Sequence, residues 1–112
     1  LTISSTVYDG NLPAIVIDTA QSSFGFLYSQ FTANPYTKSS IRLTEKERTN
    51  RIIDFLDWFN SRAKLSSYLI GDFNIDLLKN SVSKIRVETW LRDSQFTNLI
   101  RRPTRIATDY RG

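Results

Sequence analysis

Apolar and polar positions in the first third of the chain predict three β-strands. Alternating, β-prone residues at 2–7 and an apolar run at 12–17 flank the turn-forming residues 8–11, which is the pattern of a β-hairpin. Pro13 cannot donate a ladder hydrogen bond, so the second strand either lies at a sheet edge or begins after this residue. Aromatic residues are dense at 24–31, where a third strand is predicted.

Apolar residues at helical spacing predict a long helix at 45–62 and a shorter one at 83–93. Thr44 and Glu47 have the spacing of a capping box, which sets the start of the long helix. A polar loop at 32–42 precedes it. The inward residues of the long helix are predicted to be Ile52, Phe55, Leu56, Phe59 and Ala63, and those of the second helix Val87, Trp90 and Leu91.

The stretch 67–76 follows the long helix and joins an apolar strand to a polar turn. Tyr68, Leu69 and Ile70 show no polar alternation, which favours a strand that is covered on both faces. Gly71 then indicates a close backbone approach or an unusual dihedral angle. The order strand, helix, strand predicts a layered α/β unit with this strand in its interior.

Candidate chemistry lies directly after this strand. If the backbone stays extended over 72–74, Asp72 and Asn74 point to one side and Phe73 points into the core. A carboxylate and an amide would then lie together, where they could hold a metal ion, a phosphate oxygen or a water. The spacing is equally compatible with a strand-end turn in which Asp72 and Asn74 cap backbone amides. A calcium loop is excluded, because Leu77 stands where it needs Gly and Ser83 where it needs Glu.

Two segments resemble one enzyme superfamily. Residues 69–78, LIGDFNIDLL, are similar to the GDFN segment of the endonuclease/exonuclease/phosphatase superfamily, in particular the apurinic-type endonuclease domain of non-LTR retrotransposons. Residues 98–106, NLIRRPTRI, resemble the LI..PTRI stretch that follows at this distance in those retroelement domains. The resemblance covers roughly residues 24–106.

The resemblance implies an α/β (α+β) fold that is part of a four-layer sandwich, with two mixed β-sheets face to face and helices outside. It implies a hydrolase that cleaves phosphodiester bonds with a divalent metal, usually magnesium. In a retroelement such a domain nicks target DNA to prime reverse transcription. Residues 1–112 would then form a single partial domain of this type.

The resemblance also implies roles for three residues. Asp72 would activate or deprotonate the attacking water, and Asn74 would hold the phosphate or a metal-bound group, which makes both candidate metal ligands. Tyr28, in the third predicted strand, lies where the resemblance places a tyrosine that would contact the phosphate. Residues 29–31 depart from the Arg or Pro that often follows this Tyr, which leaves phosphate contacts from those positions in doubt. A tyrosine of the core or sheet face is the equal alternative.

The excess of basic over acidic side chains lies wholly in the last third of the chain. Residues 1–76 hold 7 basic and 8 acidic side chains, whereas residues 77–112 hold 8 basic and 3 acidic ones, giving a net charge of +4. This excess could attract a phosphate backbone or be a solvated basic surface. Pro103 restricts the preceding backbone to an extended conformation. The candidate nucleic-acid-binding residues are Arg101, Arg102, Thr104 and Arg105.

The absence of Cys and His from the chain excludes several kinds of catalytic chemistry. The 112 residues include no Cys, which excludes disulfides and thiolate chemistry, and no His, which excludes a Ser-His-Asp mechanism within this chain. With no Met and with Leu1 at the front, we expect a piece of a longer protein. The superfamily's Glu motif, its principal metal ligand, should precede residue 1, and its Asp-His pair should follow residue 112.

We therefore expect a fragment of a DNA endonuclease that is inactive alone. The alternative is a non-catalytic remnant of the same fold that binds nucleic acid or acts as a scaffold. The expected partners are DNA and the rest of a parent polyprotein, including the reverse transcriptase of a retroelement. No apolar run approaches the ~18 residues of a membrane span, so no membrane partner is expected. The expected location is intracellular, and nuclear for a retroelement endonuclease.

Overall fold

A computed structural model describes residues 2–30, 42–64, 66–75 and 80–97. The chain divides into two compact units, Leu1–Ile75 and Asp76–Gly112, which are described separately. The described residues form a four-stranded mixed sheet and two helices, which confirms the α+β class. No helix among these residues combines the length and apolarity that crossing a bilayer requires.

The sheet of the first unit has the strand order β1-β2-β3-β4. Its strands are β1 (Ser4–Val7), β2 (Ala14–Asp18), β3 (Ser22–Tyr28) and β4 (Ser66–Asp72). β1, β2 and β3 pair antiparallel, as the predicted hairpin requires, and β3 and β4 pair parallel. The helix α1 (Glu45–Arg62) lies between β3 and β4 in the chain, because parallel neighbours need a crossover connection.

The strand ends follow local turn chemistry. β2 begins directly after Pro13, whose missing N–H therefore costs no ladder bond, while its carbonyl accepts from the Tyr28 N–H at 3.0 Å. The β2–β3 turn is closed by Thr19, whose N–H donates to the Ser22 carbonyl at 2.9 Å and whose Oγ1 accepts from the Ser22 N–H at 3.1 Å. The third strand thus begins two residues earlier than its aromatic pattern indicates.

α1 begins and ends where the sequence predicts. The Thr44 hydroxyl accepts from the Glu47 N–H at 3.1 Å, and the Glu47 carboxylate accepts from the Thr44 N–H at 2.9 Å, which completes the capping box. At the other end, Arg62 forms a salt bridge with Asp18 of β2, with 3.2 Å between Nη2 and Oδ2. The helix is therefore tied to the sheet at its C-terminal end.

One face of the sheet packs against α1, and we call it the covered face. Val16, Gly25 and Leu27 are adjacent on it and are buried. The side chains Ile52, Phe55, Leu56 and Phe59 of α1 are fully buried. A methyl group on Gly25 would lie 3.0 Å from Phe59 Cε1, so the helix approaches the sheet closely at this glycine.

Within the described residues, no helix covers the opposite face, which we call the open face. Its apolar side chains come from all four strands, and the most exposed are Val7 (72% exposed), Tyr28 (49%), Tyr68 (47%) and Ile70 (48%). Phe24 stacks on Tyr68 with ring centroids 5.0 Å apart. The prediction that β4 is an interior strand covered on both faces is therefore wrong. β4 is an edge strand of the described sheet, and α1 covers only one of its faces.

The second unit contains α2 (Val82–Asp93). Its N-cap is Ser81, whose hydroxyl accepts from the Lys84 N–H at 3.1 Å. Gln95 takes a left-handed conformation (φ 64°), and the Phe96 N–H donates to the Leu91 carbonyl at 2.7 Å, as in a Schellman motif. Of the predicted inward residues, Val87 is buried, whereas Trp90 and Leu91 are half-buried.

The four-layer sandwich remains a prediction, since the described residues contain a single sheet. Of the predicted loop at 32–42, only Arg42 is described. The last apolar residues of the chain, Phe96, Leu99 and Ile100, predict a short strand or extended segment. Phe96 is half-buried and lies outside any strand, and residues 98–112 lie outside the described part of the chain.

Candidate functional site

The carboxyl ends of β3 and β4 bring two of the predicted catalytic residues together. Tyr28, the last residue of β3, pairs with Asp72, the last residue of β4, across the parallel ladder. Adjacent strands lie about 4.8 Å apart, so the two residues are direct neighbours. Both are exposed to solvent, and both lie on the open face. A phenol and a carboxylate that are 44 positions apart in the chain thus share one end of the sheet.

Gly71 provides the close approach that the sequence predicts. It pairs with Leu27 on β3, and a Cβ at Gly71 would overlap the Leu27 carbonyl oxygen. No residue other than glycine fits there without moving β3 away from β4. The strand therefore reaches Asp72 with its pairing to β3 intact, because Gly71 carries no side chain.

After Asp72 the backbone is no longer extended. The interpretation in which residues 72–74 stay extended is therefore wrong. Asn74 has φ 51°, in the left-handed region that Asn tolerates better than most residues. Its N–H donates to Asp72 Oδ1 at 3.0 Å, so Asp72 closes a local turn of the Asx type. Phe73 is half-buried and does not lie in the fully buried core. We call residues 72–74 the site turn.

The site turn is held by β3. The Ser29 N–H donates to the Asp72 carbonyl at 2.8 Å, which extends the β3–β4 ladder by one bond. The Asn74 side-chain nitrogen donates to the Ser29 carbonyl, so Asn74 does not point outward beside Asp72 in the predicted way. Asn74 is half-buried, whereas Asp72 is exposed. The carboxylate faces solvent and the amide faces the neighbouring strand.

A third element, helix α1, also reaches the site turn. Arg48 Nη1 donates to the Asn74 carbonyl at 3.0 Å from a half-buried position near the start of the helix. Sequence reasoning missed this contact. A weak signal was available, because the helix dipole disfavours a cation near a helix N-terminus, and a cation placed there needs another reason.

Sequence reasoning also missed the way in which Ser29 takes part. It singled out positions 29–31 only because they depart from the Arg or Pro of the superfamily pattern. Ser29 is 1% exposed, and within the described part of the chain its hydroxyl has no hydrogen-bond partner. Its backbone groups, and not its side chain, hold the site turn.

The site supplies few oxygen ligands for a metal. Within residues 2–30, 42–64, 66–75 and 80–97, no three Asp, Glu, His or Cys side chains come close enough to form a metal-binding group. The candidate ligands of the site turn are the Asp72 carboxylate and the Asn74 amide oxygen. A Mg²⁺ ion commonly takes only one or two protein carboxylates and completes its shell with water and substrate phosphates. Asp72 fits that pattern as one ligand of an incomplete set.

The predicted nucleic-acid-binding residues Arg101, Arg102, Thr104 and Arg105 lie outside the described residues. The basic residues of α2 are described, and two of them have acidic neighbours. Lys84 Nζ lies 4.0 Å from a Glu88 carboxylate oxygen, and Arg92 Nε lies 3.9 Å from Asp93 Oδ1. These exposed pairs contribute little to stability and reduce the positive field of the helix.

Comparison of the chain with protein-family models, with curated proteins and with solved structures finds no match in any of the three. The site geometry and the resemblance of the two sequence segments are therefore the indications of function.

Proposed function

We propose that this chain is the central part of a metal-dependent DNA endonuclease of the endonuclease/exonuclease/phosphatase type, as found in non-LTR retrotransposons. The observation that carries the proposal is the pairing of Tyr28 with Asp72 at one exposed end of the sheet. These are two of the three residues to which the resemblance assigns chemistry. Ligands of open α/β sheets bind at the carboxyl ends of parallel strands, which is where this pair lies.

The donor set of the site turn fits a divalent metal in part. A carboxylate and an amide oxygen are hard ligands of the kind that Mg²⁺ prefers. Asp72 would be a ligand or would orient a metal-bound group, and Asn74 would support it through its amide oxygen. The principal ligand would come from a Glu outside this chain. When bound, the ion would stabilise negative charge on the phosphate in the transition state.

The residues of this chain would act on the phosphate and on the attacking water. The exposed Asp72 carboxylate would accept a hydrogen bond from the water and orient it, or take its proton. The Tyr28 hydroxyl would donate a hydrogen bond to a phosphate oxygen at the neighbouring position. Asn74 would keep the site turn against β3 through its bond to Ser29.

The open face supports the proposal that a second sheet completes a sandwich. Val7, Tyr28, Tyr68 and Ile70 on this face are each about half exposed or more, and large exposed apolar patches mark interfaces. A second sheet from the rest of the parent chain would bury Phe24, Tyr68 and Ile70 and would leave Tyr28 and Asp72 at the rim. Face-to-face sheets pack about 10 Å apart with interdigitated side chains, and the aromatic and β-branched residues of the open face suit that packing.

The test is nicking of supercoiled plasmid DNA in the presence of Mg²⁺. The 112-residue chain alone should show no nicking above background, because the proposal requires a principal metal ligand in addition to those of the site turn. In the complete parent protein, Asp72→Asn should lower the nicking rate by about 10²–10⁴-fold, the usual contribution of a positioned acid or base. The matched control is Asp93→Asn, which removes another exposed carboxylate, at the end of α2, and should leave the rate unchanged.

Two results would contradict the proposal. One is Mg²⁺-dependent nicking by the 112-residue chain that survives Asp72→Asn. The other is a parent protein in which Asp72→Asn and Asp93→Asn have equal rates. DNA binding that falls with salt and does not change with Asp72→Asn, in a parent protein without nicking activity, would instead indicate a non-catalytic binding remnant.

A further inference from the structure

We propose that Arg48 is the positioning residue of the site turn: its guanidinium holds the Asn74 peptide and thereby keeps the Asp72 carboxylate directed to solvent. The proposal begins from a single contact between distant parts of the chain. Arg48 Nη1 donates to the Asn74 carbonyl at 3.0 Å, and the two residues are 26 positions apart. The contact joins the N-terminal turns of α1 to the end of β4.

The conformation of the site turn needs such support. Asn74 lies in the left-handed region, which is unfavourable for a residue with a side chain and persists where surrounding contacts impose it. Both backbone groups of Asn74, the N–H and the carbonyl, make a hydrogen bond. Its N–H is bound by Asp72 Oδ1, and its carbonyl is bound by Arg48. Loss of the Arg48 bond would free the carbonyl and let the residue return to an extended conformation.

That return would change where Asp72 points. In the present turn the Asp72 carboxylate is fixed by its bond to the Asn74 N–H at 3.0 Å. If the whole turn opens, so that residues 73 and 74 both become extended, this N–H turns away and the carboxylate loses its local donor. Arg48 therefore acts on Asp72 through the conformation of the site turn.

Arginine suits this role better than lysine. The guanidinium presents five donors in a rigid plane, so it can bind a carbonyl from a half-buried position and keep its remaining donors available for other acceptors. A lysine ammonium is a flexible point charge with a stronger need for water. Lysine at position 48 should therefore restore the charge but only part of the geometry.

The helix provides a matched control. Arg51, three residues along α1, also donates through Nη1 to a backbone carbonyl at 3.0 Å, in this case that of Asn11 in the β1–β2 connection. Arg48→Gln and Arg51→Gln thus remove the same kind of bond from the same helix. Only the first of these bonds reaches the site turn.

The test is NMR spectroscopy of the ¹⁵N-labelled 112-residue chain. The coupling between the amide and α protons of Asn74 depends on φ, so it reports whether residue 74 keeps its left-handed conformation. The wild type and Arg51→Gln should show the same coupling, and Arg48→Gln should show the larger coupling of an extended residue. Exchange of the Asn74 amide with solvent should be roughly tenfold faster in Arg48→Gln, the factor expected for loss of one charge-assisted bond. Arg48→Lys should give intermediate values for both.

Folding is checked by the amide shifts of β1 and β2, which should be alike in all variants. If Arg48→Gln does not fold, Arg48→Lys carries the test, because it keeps the charge and removes only the planar fork. The proposal is overturned if the folded Arg48 variant keeps the wild-type amide–α-proton coupling and the wild-type amide exchange rate of Asn74.

The NMR measurements on Asn74 do not depend on catalysis. The importance of the site turn for hydrolysis rests on the proposed function. In the parent protein, Arg48→Gln should lower kcat with little change in KM, and Arg48→Lys should recover part of the loss. An altered Asn74 amide with wild-type kcat would uphold the positioning role and reject the site turn as the place of catalysis.

Discussion

The two faces of the sheet carry similar apolar residues but differ in what covers them. On the covered face, Val16 and Leu27 are buried under α1, and Gly25 lets the helix approach. On the open face, Tyr68 and Ile70 are about half exposed although they are as apolar as their counterparts. The comparison shows that hydrophobicity places residues in strands, whereas burial depends on which element lies above each face.

The difference between the two faces also separates the residues that stabilise the fold from those to which a function is proposed. A face that is already covered can contribute to folding of the described unit, because its apolar surface is removed from water. The open face contributes less to folding and leaves its surface available to another layer. The exposed pair Tyr28 and Asp72 lies at the end of that second face, where another layer would form a cleft.

The largest expected effect comes from a matched pair of truncations. Phe59→Ala removes a fully buried ring from the covered face and should lower the free energy of unfolding by about 3–5 kcal/mol. Ile70→Ala removes a half-exposed side chain from the open face and should cost about 1 kcal/mol or less, since much of its surface is already in water. Denaturant unfolding followed by Trp58 fluorescence measures both.

Equal losses of unfolding free energy for Phe59→Ala and Ile70→Ala would contradict the difference between the two faces, because they would show that the open face is buried in solution. If a second sheet packs on Ile70, as the proposed function requires, the two values should instead converge in the protein that contains that sheet. That convergence separates an interface from an ordinary exposed surface.

A smaller effect is expected from the cap of the covering helix. Thr44→Ala removes the hydroxyl that accepts from the Glu47 N–H and should cost about 1 kcal/mol. Thr44→Ser keeps the acceptor and serves as the control. The same unfolding measurement applies, and a loss as large with Ser as with Ala would show that the methyl group of Thr44 matters more than the cap.

The smallest effect concerns pH. The hydrogen bond from the Thr44 backbone N–H, with a second contribution from its side chain, lowers the pKa of Glu47. A carboxyl with a lowered pKa in the folded state stabilises the fold above its unfolded pKa, and this stabilisation is lost as pH falls through the folded value. The unfolding midpoint of the wild type should therefore fall more between pH 6 and pH 3 (about the range of Glu titration) than that of Glu47→Gln.

Glutamine can keep the hydrogen bond of a capping box but does not titrate, so it is the appropriate comparison. Parallel pH profiles for the two proteins would show that the capping carboxylate contributes nothing through its charge.

The sequence predicts α1 and the first hairpin well because their determinants are local. The Thr44 and Glu47 pair and the three-and-four spacing of apolar residues set Glu45–Arg62 without reference to the rest of the chain. Pro13 and the turn residues set the first hairpin in the same way. The position of Asp72 at a strand end follows from the run of apolar residues before it.

The prediction fails where tertiary contacts decide. An apolar run in β4 does not reveal that α1 covers only one of its faces. The spacing of Asp72 and Asn74 allows both an extended segment and a turn, and bonds from Ser29 and Arg48 accompany the turn. Neither of those partners is close in sequence, so no local pattern could identify them. The roles of Asp72, Asn74 and Tyr28 in hydrolysis stay predictions.

Gly71 has a consequence for the alignment of the two parallel strands. A slip of β4 by one residue along β3 would place Ile70 or Asp72 beside the Leu27 carbonyl oxygen, and neither could take the backbone conformation of Gly71 there without a Cβ overlap. The same slip would turn every side chain of β4 to the other side of the sheet. A position without a methyl group thus favours one alignment of the two strands, the alignment that places Asp72 next to Tyr28.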